Sequence, residues 1–178
     1  MMRLVIAVCM LGLLASMCSP VLSAESKSAK ITRALSAGPA SIQAHAAVID
    51  VGVNGKVTVL RKGTNGFTCV AGHAGVVGDD PMCADKESMT WAGDWMAHHP
   101  KPTNAKPGIV YMLAGGTDWS ANDPWATKGT PIHEPPHWMI MWPYDPKTSG
   151  LSSKESGSGT WIMWANTPYA HLMINQKP

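Results

Sequence analysis

Apolar residues are spaced differently in successive parts of the chain, and each spacing predicts a type of element. Residues 25–45 are small and polar with a weak helical pattern, so we expect an N-terminal segment with a short helix. Apolar runs at 46–51 and 57–61 flank the tight-turn dipeptide Asn54-Gly55 and predict a β-hairpin. Four later apolar runs predict strands at 109–113, 137–142, 160–164 and 170–174.

One stretch between the hairpin and these strands has helical spacing. Apolar residues recur at steps of three and four from Met89 to Met96. Asp80 stands before a proline, which is typical of a helix start, and Pro100 is typical of a position beyond a helix end. The sequence therefore predicts an α+β fold, with a mostly antiparallel sheet, one main helix at about 81–98, and long loops rich in Gly, Pro and Asp.

The first 24 residues differ in pattern from the rest. Arg3 precedes an apolar run over 4–15, which is shorter than the ~20 residues that a membrane-spanning helix needs. We expect a cleavable signal peptide over 1–24, a periplasmic or extracellular location, and no stable membrane anchor after cleavage. Lipid attachment at Cys18 is an alternative, but Met17 stands where lipoprotein processing favours a small residue.

Length and charge limit the remaining possibilities. The 25–45 segment and the globular part at 46–178 together have the length of one ordinary domain. The chain has 14 Lys and Arg against 12 Asp and Glu, a formal net charge of +2. A nearly neutral chain without a basic stripe does not favour nucleic acid as a partner. The pattern indicates no oligomeric state.

Cys69 and Cys83 are the two cysteines that remain after the expected cleavage. In an oxidising compartment they predict one disulfide, which by loop closure would stabilise the fold by ~3 kcal/mol. A thiolate metal site is the alternative, but the sequence has no second cysteine pair to complete it.

Residues 133–137 match the zinc-protease pattern H-E-x-x-H. That pattern binds zinc when a helix places both histidines one turn apart on the same face. Here both middle residues are prolines, which lack backbone donors and favour extended geometry. The match therefore does not indicate a metalloprotease.

Histidine and methionine share a face on two of the predicted strands. Residues two apart lie on the same side of a strand, so His137 accompanies Met139 and His171 accompanies Met173. If the strands are neighbours, these four residues could form a nitrogen and thioether site suited to copper. The alternatives are core packing, and an organic-ligand pocket with His137, Tyr169 and His171 as polar groups.

Three functions remain open from these residues. The first is a small ligand-binding or metal-binding domain. The second is an enzyme whose general base, one of the same two histidines, is oriented by a carboxylate of Asp94, Asp118 or Asp123. The third is an interaction domain without small-molecule chemistry, in which Trp119 or Trp125 lies in an exposed patch.

Several short sequence blocks, in a fixed order along the chain, resemble those of a known protein family. They are residues 63–69, 80–83, 111–116, 136–140 and 167–174. On these blocks the chain resembles an uncharacterised family of small exported bacterial proteins that has no established activity. The resemblance covers roughly residues 40–175. It implies a single fold and export, and it assigns no catalytic residue.

Overall fold

The computed structural model describes residues 25–175. The expected signal peptide at 1–24 lies outside the described residues and stays a prediction. Within 25–175, no helix has both the length and the apolar character needed to cross a membrane.

The described residues form four helices and ten strands, in an α+β arrangement. The helices are α1 (Lys27–Ser36), α2 (Ala40–Gln43), α3 (Lys86–Met96) and α4 (Pro146–Ser149). The strands are β1 (Ala47–Val51), β2 (Val57–Arg61), β3 (Thr68–Val70), β4 (Met82–Ala84), β5 (Gly108–Met112), β6 (Gly116–Asp118), β7 (Ile132–Glu134), β8 (His137–Met141), β9 (Gly159–Met163) and β10 (His171–Asn175).

Eight of these strands form one large sheet in the order β2-β1-β3-β4-β5-β8-β10-β9. Only the β1–β3 pair within this described sheet is parallel, so the prediction of a mostly antiparallel sheet is confirmed. Strands β6 and β7 form a separate two-stranded sheet. The pattern did not predict β3, β4, β6 or β7, because three residues are too few to show an alternation.

The main helix is present, but its predicted start at Asp80 is wrong. Residues Met82–Ala84 belong to β4, which is hydrogen-bonded to β3 on one side and β5 on the other. Helix α3 follows, with Asp85 as its N-cap: the Asp85 carboxylate accepts a hydrogen bond from the Ser88 N–H at 2.8 Å. Pairing on both sides of β4 therefore outweighs the local aspartate-proline signal.

Cys69 and Cys83 form the predicted disulfide, which joins β3 to β4. The two residues lie directly opposite each other in the antiparallel pair, with their Cα atoms 3.9 Å apart. Helix α1 and its C-cap residue cover them with the buried side chains of Ala34 and Ala37. A Cβ at Gly38 would lie 2.9 Å from Sγ of Cys83, so this close approach of the chain requires glycine. The N-terminal segment is thus packed on the disulfide.

Helices α1 and α3 cover opposite faces of the large sheet. Cys83 and Ala84 are consecutive in β4, so their side chains point to opposite sides. Cys83 belongs to the buried cluster under α1, whereas Ala84 belongs to the cluster that includes Trp91 of α3. The site described next lies on the face of the sheet that α3 covers, where strands β5, β8, β9 and β10 contribute side chains.

Candidate ligand-binding site

A cavity of about 400 Å³ lies between α3 and the sheet. From α3, Trp91, Ala92 and Trp95 contribute to its wall. The wall also contains every methionine of the described residues, namely Met82, Met89, Met96, Met112, Met139, Met141, Met163 and Met173. A cavity of this size and apolar character is typical of a small-molecule site.

The strand adjacency on which the sequence prediction depended is present. Strands β8 and β10 are antiparallel neighbours, and Met139 lies directly opposite Met173. All four predicted residues line the cavity, but the register places His137 and His171 on opposite sides of this methionine pair. The register places His171 level with Met141, which is four residues along β8 from His137. Because each strand residue advances about 3.3 Å, the two histidines are separated by about 13 Å along the strands. The four side chains therefore lie in a line along the cavity rather than around one point.

At one end of this line, thioethers and indoles surround His171. Met163 of β9 lies directly opposite it, and the next step of the β8–β10 register places Met141 on its other side. The imidazole meets the indole rings of Trp91 and Trp164 edge-on, with ring centroids 5.4 and 5.0 Å away. His171 is only 2% exposed. This part of the cavity is called the aromatic end below.

The protonation of His171 follows from its one backbone contact. Nδ1 lies 3.0 Å from the carbonyl oxygen of Tyr169, and a carbonyl only accepts, so Nδ1 carries the hydrogen. Burial lowers the pKa of His171 to about 4; the contact with the Tyr169 carbonyl opposes this shift, and His137 adds a smaller lowering. The neutral ring therefore presents the lone pair of Nε2 as an acceptor or metal ligand.

His137 lies at the other end, opposite Met112 of β5. Its Nδ1 lies 2.7 Å from the Pro135 carbonyl oxygen, and burial lowers its pKa, so it adopts the same neutral tautomer as His171. A Cβ at Gly116 would lie 3.6 Å from Cε1 of His137 and 3.7 Å from Oδ2 of Asp80. The Asp80 carboxylate and the His137 imidazole therefore both lie next to Gly116.

Carboxyl groups collect around His137, and this part of the cavity is called the acidic end below. Asp79, Asp80, Asp118 and Glu134 line it, and no lysine or arginine of residues 25–175 lines the cavity. Burial raises the pKa of Asp118, although the N–H groups of the following loop oppose the shift. Burial also raises the pKa of Glu134 to about 7, with smaller contributions from neighbouring carboxylates. The cavity thus has an apolar aromatic end and an acidic end.

No family model, curated protein or solved structure matches this chain. Function is therefore inferred from the geometry of this cavity. Within residues 25–175, no group of three or more His, Cys, Asp or Glu side chains is arranged to hold a metal ion. A metal site here would depend on methionine sulfur.

The residues suggested for an enzyme do not come together. His137 and His171 both hydrogen-bond to backbone carbonyls, and no hydrogen bond or ion pair joins either to the carboxylates expected to orient a general base. Asp94 instead accepts hydrogen bonds from Thr103 and pairs with His99. Tyr169, suggested as a pocket residue, is fully buried outside the cavity wall and donates its hydroxyl hydrogen to the His99 carbonyl at 2.9 Å. The pairing of His137 or His171 with one of the suggested carboxylates is therefore not present among the described residues, and the histidine of the cavity wall that does pair with a carboxylate is His73, with Asp79.

The two tryptophans suggested for an interaction surface are partly covered by the protein itself. Trp125 is 37% exposed and stacks on the His98 ring, with centroids 5.3 Å apart. Trp119 is half-buried. These two side chains therefore do not form a broad exposed aromatic patch.

Sequence reasoning assigned four of the wall residues to one site, placed Met141 on the same strand face as His137, and suggested Asp118 only as an orienting carboxylate. It did not assign Asp79, Asp80, Glu134 or the five remaining methionines to the site. The composition gave a signal for the wall as a whole: residues 25–178 have eight methionines and one phenylalanine, which indicates a methionine-rich interior without saying which methionines meet. The acidic end was not visible, because Asp118 and Glu134 lie on three-residue strands that give no pattern.

Proposed function

We propose that this chain is an exported binding protein that holds a small, elongated and mainly apolar organic molecule between α3 and the sheet. The cavity of about 400 Å³ is the observation that carries the proposal. Sites for small organic ligands commonly have volumes of about 300–1,000 Å³ and apolar walls with a few polar groups. Methionine side chains are flexible and polarizable, so a wall rich in them adapts to the shape of a ligand.

The line of side chains supports an elongated ligand. His137 and His171 are both neutral, both bonded through Nδ1, and about 13 Å apart along the strands. Each presents Nε2 as a hydrogen-bond acceptor at one end, and the Met139–Met173 pair lies between them. A molecule long enough to reach both ends would contact both Nε2 acceptors and the Met139–Met173 pair between them.

Export is supported by the disulfide and by the pattern of the first 24 residues. Disulfides such as Cys69–Cys83 persist mainly in oxidising compartments, including the periplasm and the extracellular space. A protein that binds a ligand there would meet molecules taken from outside the cell or passing through its envelope.

The neutral, apolar fluorescent probe N-phenyl-1-naphthylamine tests the cavity directly. We expect its fluorescence to rise on binding to the purified chain that lacks residues 1–24. Ala92→Phe adds a ring to the α3 wall and should weaken binding roughly tenfold, because the wall and the probe then compete for the same volume. Ala97→Phe is the matched control, since Ala97 is exposed just beyond α3. Failure of the wild type to bind, or equal binding by Ala92→Phe, would refute the proposal.

Copper(I) is a second candidate ligand, because three potential metal-binding side chains lie in one row across the strands at the aromatic end. Met141 and Met163 flank His171 across three adjacent strands, and opposite residues in such pairs have Cβ atoms about 5 Å apart. Two thioethers and one imidazole nitrogen form a soft ligand set that favours Cu(I). This row replaces the four-residue arrangement with one in which three ligands lie side by side.

An anaerobic titration with Cu(I) against a chromophoric chelator tests this row. We expect one equivalent to bind, and the double variant Met141→Leu, Met163→Leu to lower the affinity by roughly tenfold or more, since both changes remove sulfur and keep apolar volume. Met96→Leu is the control, because Met96 is 58% exposed at the end of α3. Equal affinity in the double variant would exclude the row as the site.

A further inference from the structure

No lysine or arginine of residues 25–175 lines the acidic end of the cavity. Glu134 is only 7% exposed, and its Oε2 accepts a hydrogen bond from Nδ2 of Asn175 at 3.1 Å. Its other oxygen, Oε1, is buried and has no hydrogen-bond partner among the described residues. The ion pairs found within 25–175 include Asp79, which pairs with His73, but not Asp80, Asp118 or Glu134.

An arrangement of this kind is unfavourable when the cavity holds no cation. A buried carboxylate normally has a positive partner or a full set of hydrogen bonds, because desolvation destabilises its charged form. Glu134 has neither, and Asp118 lies near enough for the two negative charges to repel each other. A positive group in the cavity would relieve both effects, and residues 25–175 place no lysine or arginine there.

We propose that the cavity selects molecules that combine an apolar body with an ammonium head, and that Glu134, together with Asp80 and Asp118, binds this head. The inference rests on the proposed function and adds the chemical class of the ligand. The ammonium head would lie at the acidic end of the cavity, and the apolar body would extend towards the aromatic end.

The surroundings of Glu134 fit the donors of an ammonium group. An alkylammonium has up to three N–H donors and no acceptor. Oε1 of Glu134 is an unused acceptor, and Nε2 of neutral His137 is another at the same end. Asp80 is held in place by the N–H and hydroxyl of Thr117, at 2.6 and 2.7 Å, so its charge is fixed beside the cavity. The acceptors are therefore in position before the ligand arrives.

The rest of the ligand would occupy the methionine and tryptophan wall. From the acidic end the cavity continues past the Met139–Met173 pair to the aromatic end around His171. An apolar chain there would bury surface against thioethers and indoles without displacing a polar partner. The two ends thus favour an amphiphilic amine over an apolar molecule with a neutral head.

Decylamine and decan-1-ol test the proposal, because they share a chain and differ in the head. Each is titrated into the mature protein at pH 8, with displacement of N-phenyl-1-naphthylamine and isothermal calorimetry as readouts. We expect decylamine to bind about tenfold more tightly than decan-1-ol. Glu134→Gln, which keeps the shape and removes the charge, should abolish most of this preference, measured as the ratio of the two affinities within the same variant.

Glu155→Gln is the matched control, because Glu155 is exposed, lies near Glu134 and is outside the cavity wall. It should keep the preference for the amine. Equal binding of the two compounds by the wild type would overturn the assignment of the head group while leaving the cavity function intact. An equal loss of preference in Glu155→Gln would show a general charge effect and would also overturn it. If neither compound binds and the probe does not bind, the proposed function itself fails.

Discussion

Replacing Trp91 with alanine is expected to lower the free energy of unfolding by about 3–5 kcal/mol, the range for removal of a large aromatic residue from a core. Trp91 is 3% exposed and is the central contact between α3 and the sheet. Its indole stacks on Trp164 at 5.9 Å and meets the rings of Tyr169 and His171 edge-on at 5.1 and 5.4 Å. Since the cavity already lies beside it, the truncated site would enlarge an existing space that the backbone cannot close.

Denaturant unfolding followed by circular dichroism measures this loss. Trp125→Ala is the control, because Trp125 is 37% exposed. Its ring stacks on His98 and meets Tyr169 edge-on at 5.5 Å, and its Nε1–H donates to the Trp95 carbonyl at 3.3 Å, so we expect a smaller loss of about 1–2 kcal/mol. The buried Trp91 Nε1 has no partner among the described residues, which would place the effect near the lower end of the range. Equal losses in the two variants would contradict a structural role for Trp91 at the α3 contact.

The periodic parts of the fold could be predicted from sequence, and the reasons are local. Strands β5, β8, β9 and β10 each have five residues, enough for the apolar run or alternation to be visible. The hairpin of β1 and β2 carries its own turn signal at Asn54-Gly55. Strand β4 could not be predicted in the same way, because its three residues acquire their conformation from β3, β5 and the disulfide.

The candidate site could be predicted only in part, because its geometry depends on register. The period of two in a strand places His137 with Met139, and His171 with Met173, without any knowledge of the fold. Whether the two pairs surround a point or form a line depends on whether β8 and β10 run parallel or antiparallel, and on how far one is shifted along the other. The structure shows an antiparallel pair with Met139 opposite Met173, and the line follows from this register.

The buried histidine at the aromatic end should make stability depend on pH. Burial lowers the pKa of His171 to about 4 in the folded state, against an ordinary value of 6.5. Between these values the unfolded chain binds a proton that the folded chain does not, so the free energy of unfolding falls as pH falls from 6.5 towards 4. The shift corresponds to about 3 kcal/mol at the acid limit. The contribution of His171 is fully present above pH 6.5.

Glu134 has the opposite effect on how the free energy of unfolding changes with pH. The pH dependence of wild-type stability alone therefore cannot isolate the contribution of His171. Its folded pKa of about 7 lies above its ordinary value of 4.5, and its protonated form therefore favours the folded state as pH falls through that window. Subtracting the stability of His171→Gln from that of the wild type at each pH cancels the effect of Glu134 and of the surface groups. The stability difference should shrink by about 3 kcal/mol between pH 7 and pH 4.

Urea unfolding at half-unit steps of pH provides the measurement. His45→Gln is the control, since His45 is exposed and lies outside the cavity wall. A constant difference between His171→Gln and the wild type would mean that the imidazole titrates normally in the folded protein. The aromatic end would then be open to water, and neither an apolar chain nor a Cu(I) ion could be held there in the dry surroundings that both proposed ligands require.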